Sequence, residues 1–434
     1  MSSTSAGVCG NRPDCVVSKS IDLTSLTLTP NAQTMPGFFT AVQALYIRLL
    51  PYSIRETIRD AGRRKGWLIE NLSLQKLLNM GVGVLQFAFK RERMLSWPVI
   101  VKIDISPLCN LKCTFCVHAA ANGDPVLEEQ RFRPSQKMTL EQYRSIIDQI
   151  AGRSTAVSLY YLGDPLVHPD LEEMCRIARK AGLNVHISTN FSFLLTDERV
   201  QQLVNSGLTH LTVCVDGLDQ QKYQLTRVGG RLDWVLSNLR RVCNYRREQG
   251  RIYPKVEVQY IKFQHNLQDL EEAQRLFAEI GVDQVSHFWG KLSNMTEDEP
   301  GRYAIVGSKK NQRLPQCSWP HLAMLIKYNG DVIPCCQYRQ GSQYTATGDR
   351  TRLGNVFETS VWDIWNSAQY QKLRRLVSNP EVVESESEMK ESFCYGCPIV
   401  FNTNLGEQTV YANSRKFEEL YGLDEKGVPV RHRV

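Results

Sequence analysis

Val99-Ile100-Val101-Lys102-Ile103-Asp104-Ile105 runs directly into Ser106-Pro107-Leu108-Cys109-Asn110-Leu111-Lys112-Cys113-Thr114-Phe115-Cys116. The first seven residues read as a short strand. The remainder is a loop just beyond the strand end, with cysteines spaced C-x3-C-x2-C. Three thiolates this close cannot all be bridged to one another, but all three can reach one inorganic centre. A cubane iron–sulfur cluster has four irons, so three protein thiolates leave one iron without a protein ligand. An open position on a metal marks reactivity rather than structural closure. The competing reading is a zinc knuckle completed by His118. That residue lies only two positions past Cys116, which is cramped for a fourth ligand on the same metal.

Beyond this stretch a strand-then-helix unit repeats. The expected strands are Val99–Ile105, Ala156–Leu162, Leu183–Ser188, Leu208–Val215, Val256–Phe263 and Val282–Phe288. Three of the intervening helices end alike, in Lys180-Ala181-Gly182, Asn205-Ser206-Gly207 and Glu279-Ile280-Gly281, with the glycine suited to a left-handed helix end. Leu270, Ala273, Phe277 and Ile280 mark the buried face of one crossover helix. Repeated β/α units imply an α/β fold with a parallel sheet. Either an open doubly wound sheet or a partial barrel satisfies the pattern. In both, reactive groups gather at the carboxyl ends of the strands.

The chain has 434 residues, 42% hydrophobic and 22% charged, which suits a folded globular protein of two or three domains. Near the N-terminus the longest apolar run, Val82 to Phe89, is interrupted by Gln86 and is too short to span a bilayer. Met1 to Gly10 carries no secretory pattern, so a cytoplasmic location is expected. The net charge of +7 is concentrated: Ala41 to Pro98 holds ten Lys/Arg against four Asp/Glu. No dense basic stripe points to nucleic acid. The 13 cysteines, in a chain read as unexported, favour metal or redox chemistry over a disulfide framework.

The expected organisation is a flexible lead over 1–36 and a basic, amphipathic helical segment over 37–98. A β/α domain over 99–294, a polar linker over 295–316, a cysteine-bearing region over 317–397 and a polar tail over 398–434 follow. Within 37–98, helical stretches are expected at Phe38 to Leu50, Ile54 to Asn71 and Leu74 to Lys90. Such a segment could lie on a membrane surface or bind a partner. The plainer expectation, preferred here, is that it packs on the following domain with its Lys/Arg in water. Asn329-Gly330 signals a hairpin turn. Val361 to Val377 reads as one helix, and Pro380 to Ser392, with five Glu and one Lys, as an exposed acidic loop. Cys175, Cys214 and Cys243 fall inside strands or helices and read as small apolar core residues.

The C-x3-C-x2-C loop after the first strand of a six-unit β/α domain resembles the radical S-adenosylmethionine (radical SAM) superfamily, over roughly Val99 to Phe288. The resemblance implies a partial (β/α)6 barrel. It also implies that Cys109, Cys113 and Cys116 hold a 4Fe–4S cluster whose open iron binds S-adenosylmethionine. Tyr161-Leu162-Gly163-Asp164-Pro165-Leu166 stands where the family has a Gly-Gly-Glu-Pro-like stretch that approaches the methionine amine, here with Asp for Glu. Ser188-Thr189-Asn190 is similar to the family's ribose-contacting stretch. Asp216-Gly217, followed by Arg227-Val228-Gly229-Gly230, is similar to the segment whose Arg pairs with the cofactor carboxylate. A planar guanidinium suits that grip.

Cys317, Cys335, Cys336 and the pair Cys394-Tyr395-Gly396-Cys397 form a second group, whose C-x2-C serves zinc and iron–sulfur centres equally. Their order resembles the SPASM or shorter twitch extensions of the same superfamily. That resemblance implies one auxiliary 4Fe–4S cluster on Cys317, Cys335, Cys394 and Cys397, with Cys335 preferred over Cys336 because it directly follows Pro334. The implied activity is reductive cleavage of S-adenosylmethionine to a 5′-deoxyadenosyl radical. The radical then abstracts hydrogen from a substrate C–H bond, an oxidoreductase-type modification. A flavodoxin- or ferredoxin-type electron donor is implied. A peptide or protein substrate is favoured, such as a precursor peptide, with or without a small accessory protein. A carbohydrate-like or lipid-linked small molecule, and a non-catalytic iron–sulfur or zinc scaffold, are the competing readings.

Overall fold

The computed structural model describes residues 70, 72–113, 116, 134–289, 314–335, 352–392, 394–395 and 400, and the backbone of 421–423 and 429–431. The expected lead, the helices before residue 70, most of the linker and tail, His118, Cys336 and Cys397 lie outside these residues.

Six parallel strands form the main sheet: β1 (Ile100–Ile103), β2 (Ala156–Ser158), β3 (Asn184–Thr189), β4 (His210–Cys214), β5 (Lys255–Lys262) and β6 (Gln284–Trp289). The crossovers carry helices Leu140–Ile150, Leu171–Lys180, Asp197–Asn205, Gln220–Thr226, Leu232–Glu248 and Leu270–Ile280. Side-chain caps start several of them; Thr139 and Gln142 form a reciprocal capping box. Gly182, Gly207 and Gly281 all take positive φ, as their places before the next strand suggest.

Strand order decides between the two architectures that the sequence leaves open. The order is β6-β5-β4-β3-β2-β1, without reversal. A doubly wound sheet reverses its order at a switch point. Crossovers of one hand in one direction put every helix on the same face. Val101, Val157, Val185, Leu211 and Val256 are fully buried on that outer face. The partial barrel is therefore the observed form, with an inner face that no crossover helix covers.

On the other side of β1 the sheet continues. β7 (Ala323–Ile326) pairs parallel with β1, and β8 (Asp331–Ile333) and β9 (Gly354–Asn355) follow antiparallel. The C-terminal cysteine region is thus built onto the edge of the barrel sheet. The expected turn at Asn329-Gly330 is present between β7 and β8, with Gly330 at φ +87.

Three expectations need correction. The helix expected over Val361 to Val377 is two helices, Val361–Trp365 and Ala368–Ser378. Ser367 breaks it by capping the second, its side chain accepting from Tyr370 N. The acidic stretch after Pro380 is not plain loop: Val382–Ser385 and Ser387–Glu391 are helical turns that bury Val382 and Met389. The third correction concerns α1 (Leu74–Ala88), which packs the opposite way round from expectation. Lys76, Gly83 and Gln86 are buried, while Leu74, Leu77, Leu78, Val84 and Leu85 are exposed. Its inner face is held by polar bonds to backbone. Asn79 accepts from Trp97 N at 2.7 Å, and Gln86 Oε1 accepts from Leu95 N and Ser96 N at 3.0 and 3.1 Å. Gly83 sits where a Cβ would lie 3.2 Å from Ser96 Oγ and 3.3 Å from Leu322.

Arg374 joins distant parts of the chain. It is fully buried and donates to Pro320 O, Glu92 O and Trp365 O at 2.8, 2.8 and 2.6 Å, with its guanidinium over the Trp365 ring. Burial lowers its pKa to about 9. Replacing it strands three carbonyls, two of them buried. Arg374→Leu is expected to cost about 3 kcal/mol of stability, read as a lowered midpoint in chemical denaturation.

Candidate active site

The loop of Cys109, Cys113 and Cys116 emerges from the carboxyl end of β1 and is gripped from three neighbouring strand ends. From β2, Gly163 lies so close that a Cβ would sit 2.2 Å from Leu108 O and 2.3 Å from Ser106 O. The next residue, Asp164, donates its N–H to Leu108 O at 2.8 Å. No L side chain fits between these backbones, which is the physical reason for glycine at this place.

Asp164 is buried and used internally. Its carboxylate accepts from Leu166 N, Thr189 Oγ1 and Asn190 N at 2.7–3.0 Å. It thus ties the loop after β2 to the loop after β3. Burial pushes its carboxyl up to about 6 against the pull of these donors. From β3, Asn190 Nδ2 donates to Asn110 Oδ1 at 2.8 Å and lies 3.8 Å from the Cys109 sulfur. Asn110 Nδ2 donates in turn to Ser192 O at 2.7 Å.

The third grip comes from the loop after β4. Asp216 is fully buried; Arg227 Nε donates to its Oδ2 at 2.5 Å, and Ile261 N to its Oδ1 at 2.8 Å. Held in this way, Arg227 places Nη1 3.8 Å from the Cys113 sulfur. Lys112 N donates to Val228 O at 3.0 Å. The structure therefore brings Cys109, Cys113, Gly163, Asp164, Asn190, Asp216 and Arg227 into one constellation, and Cys116 N bonds back to Cys113 O at 2.9 Å. Two other expected site residues take different places. Pro165 is buried in the turn that Asp164 caps, and Ser188 points from β3 with its hydroxyl 3.8 Å from the Cys214 sulfur.

The donor set fits an iron–sulfur cluster. Burial raises the Cys109 thiol, and it raises Cys113 to about 11 despite Arg227. Thiolates here need a positive centre, which a metal cluster supplies. Among the described residues no three His, Cys, Asp or Glu side chains converge closely enough for a single metal ion.

The sequence reading missed the inner face of the sheet. Lys102, Ser158, His186, Thr212 and Glu257 form a polar row across β1 to β5. Ser158 Oγ bonds His186 Nδ1 at 2.8 Å, His186 Nε2 meets Thr212 Oγ1 at 2.9 Å, and Thr212 Oγ1 lies 3.3 Å from Glu257 Oε2. Ser286 of β6 extends the row by donating to Glu257. Lys102 Nζ stands 3.8 Å from the Tyr160 ring centre. Burial holds the His186 imidazole well below its usual pKa, hence neutral. Alternation of polar and apolar residues within the strands was the available signal. The same alternation puts Cys214, with His210 and Thr212, on this face. Cys214 is only partly buried, whereas Cys175 and Cys243 are core residues as expected.

In the C-terminal region Cys317, Cys335 and Cys394 are all partly buried. Tyr370, fully buried, lies near two of them: burial raises its phenol, Arg374 opposes this, and Cys335 and Cys394 add to it.

Comparison with known proteins agrees with this geometry. Residues 103–277 match the model of the radical SAM superfamily, and 317–398 match SPASM, an iron–sulfur cluster-binding domain. The chain is 25% identical over 309 residues to a tungsten-containing aldehyde ferredoxin oxidoreductase cofactor-modifying protein of Pyrococcus furiosus, covering 64% of this chain and 83% of that one. It is 23% identical over 248 residues to the mycofactocin maturase MftC of Mycolicibacterium smegmatis, covering 54% and 58%. The crystal structure of Streptococcus suis SuiB bound to precursor peptide SuiA shares the fold with a TM-score of 0.51, at 17% identity, over 74% of this chain and 79% of that one. The chain belongs to the radical SAM superfamily, whose barrel binds S-adenosylmethionine and a 4Fe–4S cluster, and it carries a C-terminal SPASM domain for auxiliary iron–sulfur binding.

Proposed function

We propose that this chain cleaves S-adenosylmethionine reductively and uses the resulting 5′-deoxyadenosyl radical to remove hydrogen from a C–H bond of a peptide substrate. The observation that carries the reading is the gripped loop of Cys109, Cys113 and Cys116 at the carboxyl ends of the strands. Those three thiolates would hold the first cluster. When bound, the cluster supplies the electron that breaks the cofactor's sulfonium C–S bond.

The chain's own groups do the positioning. Gly163 and Asp164 fix the cysteine loop against β2. Asp216 would orient Arg227 for the cofactor carboxylate, and Asn190, just beyond β3, with Ser188 on that strand, would serve the nucleoside. Pro165 shapes the turn beneath them. The substrate would lie along the inner polar row, where Lys102 and Glu257 bring a cation and a carboxylate, and where Ser158 and Thr212 hold both ring nitrogens of the neutral His186. The match to a mycofactocin maturase and the fold shared with a precursor-peptide complex support a peptide. A second reading, modification of a small molecule, is favoured by the match to the cofactor-modifying protein, which spans most of that relative.

In the SPASM domain, Cys317, Cys335, Cys394 and Cys397 would saturate one auxiliary cluster, able to accept an electron from the substrate radical. A flavodoxin- or ferredoxin-type protein would reduce the first. Anaerobic reconstitution should then give about eight irons and about eight sulfides per chain; a zinc-only protein would refute the assignment. Cys109→Ala should abolish 5′-deoxyadenosine formation on reduction. Cys394→Ala should keep part of that cleavage while losing substrate turnover, as product analysis would show. Gly163→Ala should slow cleavage about a hundredfold by displacing the cysteine loop on the order of 1 Å, with the folded circular dichroism spectrum retained.

A further inference from the structure

Helix α1 presents its apolar side to solvent. Leu74, Leu78, Leu85 and Phe89 are 72%, 59%, 58% and 71% exposed, whereas Lys76 and Gln86 are 3% and 8% exposed. Leu77, Gly81, Val84 and Ala88 are exposed on the same side. Together these positions cover roughly 140° of the helix at about 100° per residue. The helix is not covering the core of its own domain. Its polar side chains already do the docking, through Asn79 and Gln86 to backbone and Lys76 to Gly182 O.

We propose that this face lies on an anionic lipid surface. Two features favour a bilayer over a protein partner. The stripe contains no polar or charged side chain, so it offers none of the hydrogen-bonding handles that protein interfaces use to set register. Its rim is basic: α1 has no acidic residue, and Arg91 and Arg93 stand exposed just past its end, beside Leu95, itself 78% exposed. They belong to the 41–98 segment, with its ten Lys/Arg against four Asp/Glu. An apolar helix face with basic residues beside it binds in the interfacial plane, by buried apolar area plus attraction to anionic headgroups. Among the described residues no helix is long and apolar enough to cross a membrane, so the contact is peripheral there.

The test is flotation of the full, reconstituted chain with vesicles of phosphatidylcholine alone, or with about 30% phosphatidylserine added. The chain is expected to float with the phosphatidylserine vesicles and far less with neutral ones. Leu78→Ser with Leu85→Ser should lower the floated fraction about tenfold. It should leave the melting temperature and 5′-deoxyadenosine formation unchanged. Arg91→Gln with Arg93→Gln should lower binding to the anionic vesicles only. Flotation of the leucine variant like the parent, or no flotation of the parent at low salt, overturns the proposal. So does light scattering that shows a parent dimer and a monomeric leucine variant, which would make the face an interface between two copies. A fall in the variant's melting temperature overturns it too, because the face would then be covered within the chain. Cofactor cleavage is read separately, so loss of flotation with cleavage intact leaves the proposed catalytic reading untouched.

Discussion

The backbone contact between Gly163 and Ser106–Leu108 is the constraint around which the site is arranged. A loop with one buried and two partly buried thiols has little apolar surface of its own to fix its shape. Here it is pinned by a neighbouring strand end that has no side chain in the way. Asp164 then uses its carboxylate to lock the β2 and β3 loops together, so a shift in one carries the others with it. Strand order makes this possible, because sequential parallel strands bring the ends of β1, β2, β3 and β4 side by side in chain order.

Charge is arranged by the same economy. Asp216 has no exposure, and a buried carboxylate is tolerable only with partners. It has two, Arg227 and the Ile261 amide. The pair sets a guanidinium beside the Cys113 sulfur. The deeper inner face is treated differently: a neutral His186 relays hydrogen bonds between Ser158 and Thr212, and a carboxylate closes the row at Glu257.

Much of this was legible from the chain alone, for a physical reason. Ligands clustered within eight residues, such as Cys109 to Cys116, announce themselves by spacing, and glycines before strands mark helix ends without any knowledge of packing. Gly163, Asn190, Asp216 and Arg227 follow successive strands, so their order was readable once the strands were. The inner row was not, because Ser158, His186, Thr212 and Glu257 meet across strands separated by long crossovers. The helical stretch over Leu74 to Lys90 was readable, but helical spacing cannot say which side faces the body. That depended on Asn79 and Gln86 finding backbone partners at Trp97, Leu95 and Ser96. The break at Ser367 was hidden by apolar spacing that runs through it, and nothing in the local sequence marks Arg374, two of whose three carbonyl partners come from distant segments.

The pairing of β7 with β1 ties the two cysteine regions through one strand. Unpaired, the outer side of β1 would be a bare row of amide and carbonyl groups, ready to template association with another chain. A fragment ending before residue 317 would carry that sticky margin right beside its reactive loop. The SPASM hairpin therefore serves the barrel as a selvedge: it covers the margin at which the barrel half would otherwise fray into aggregates.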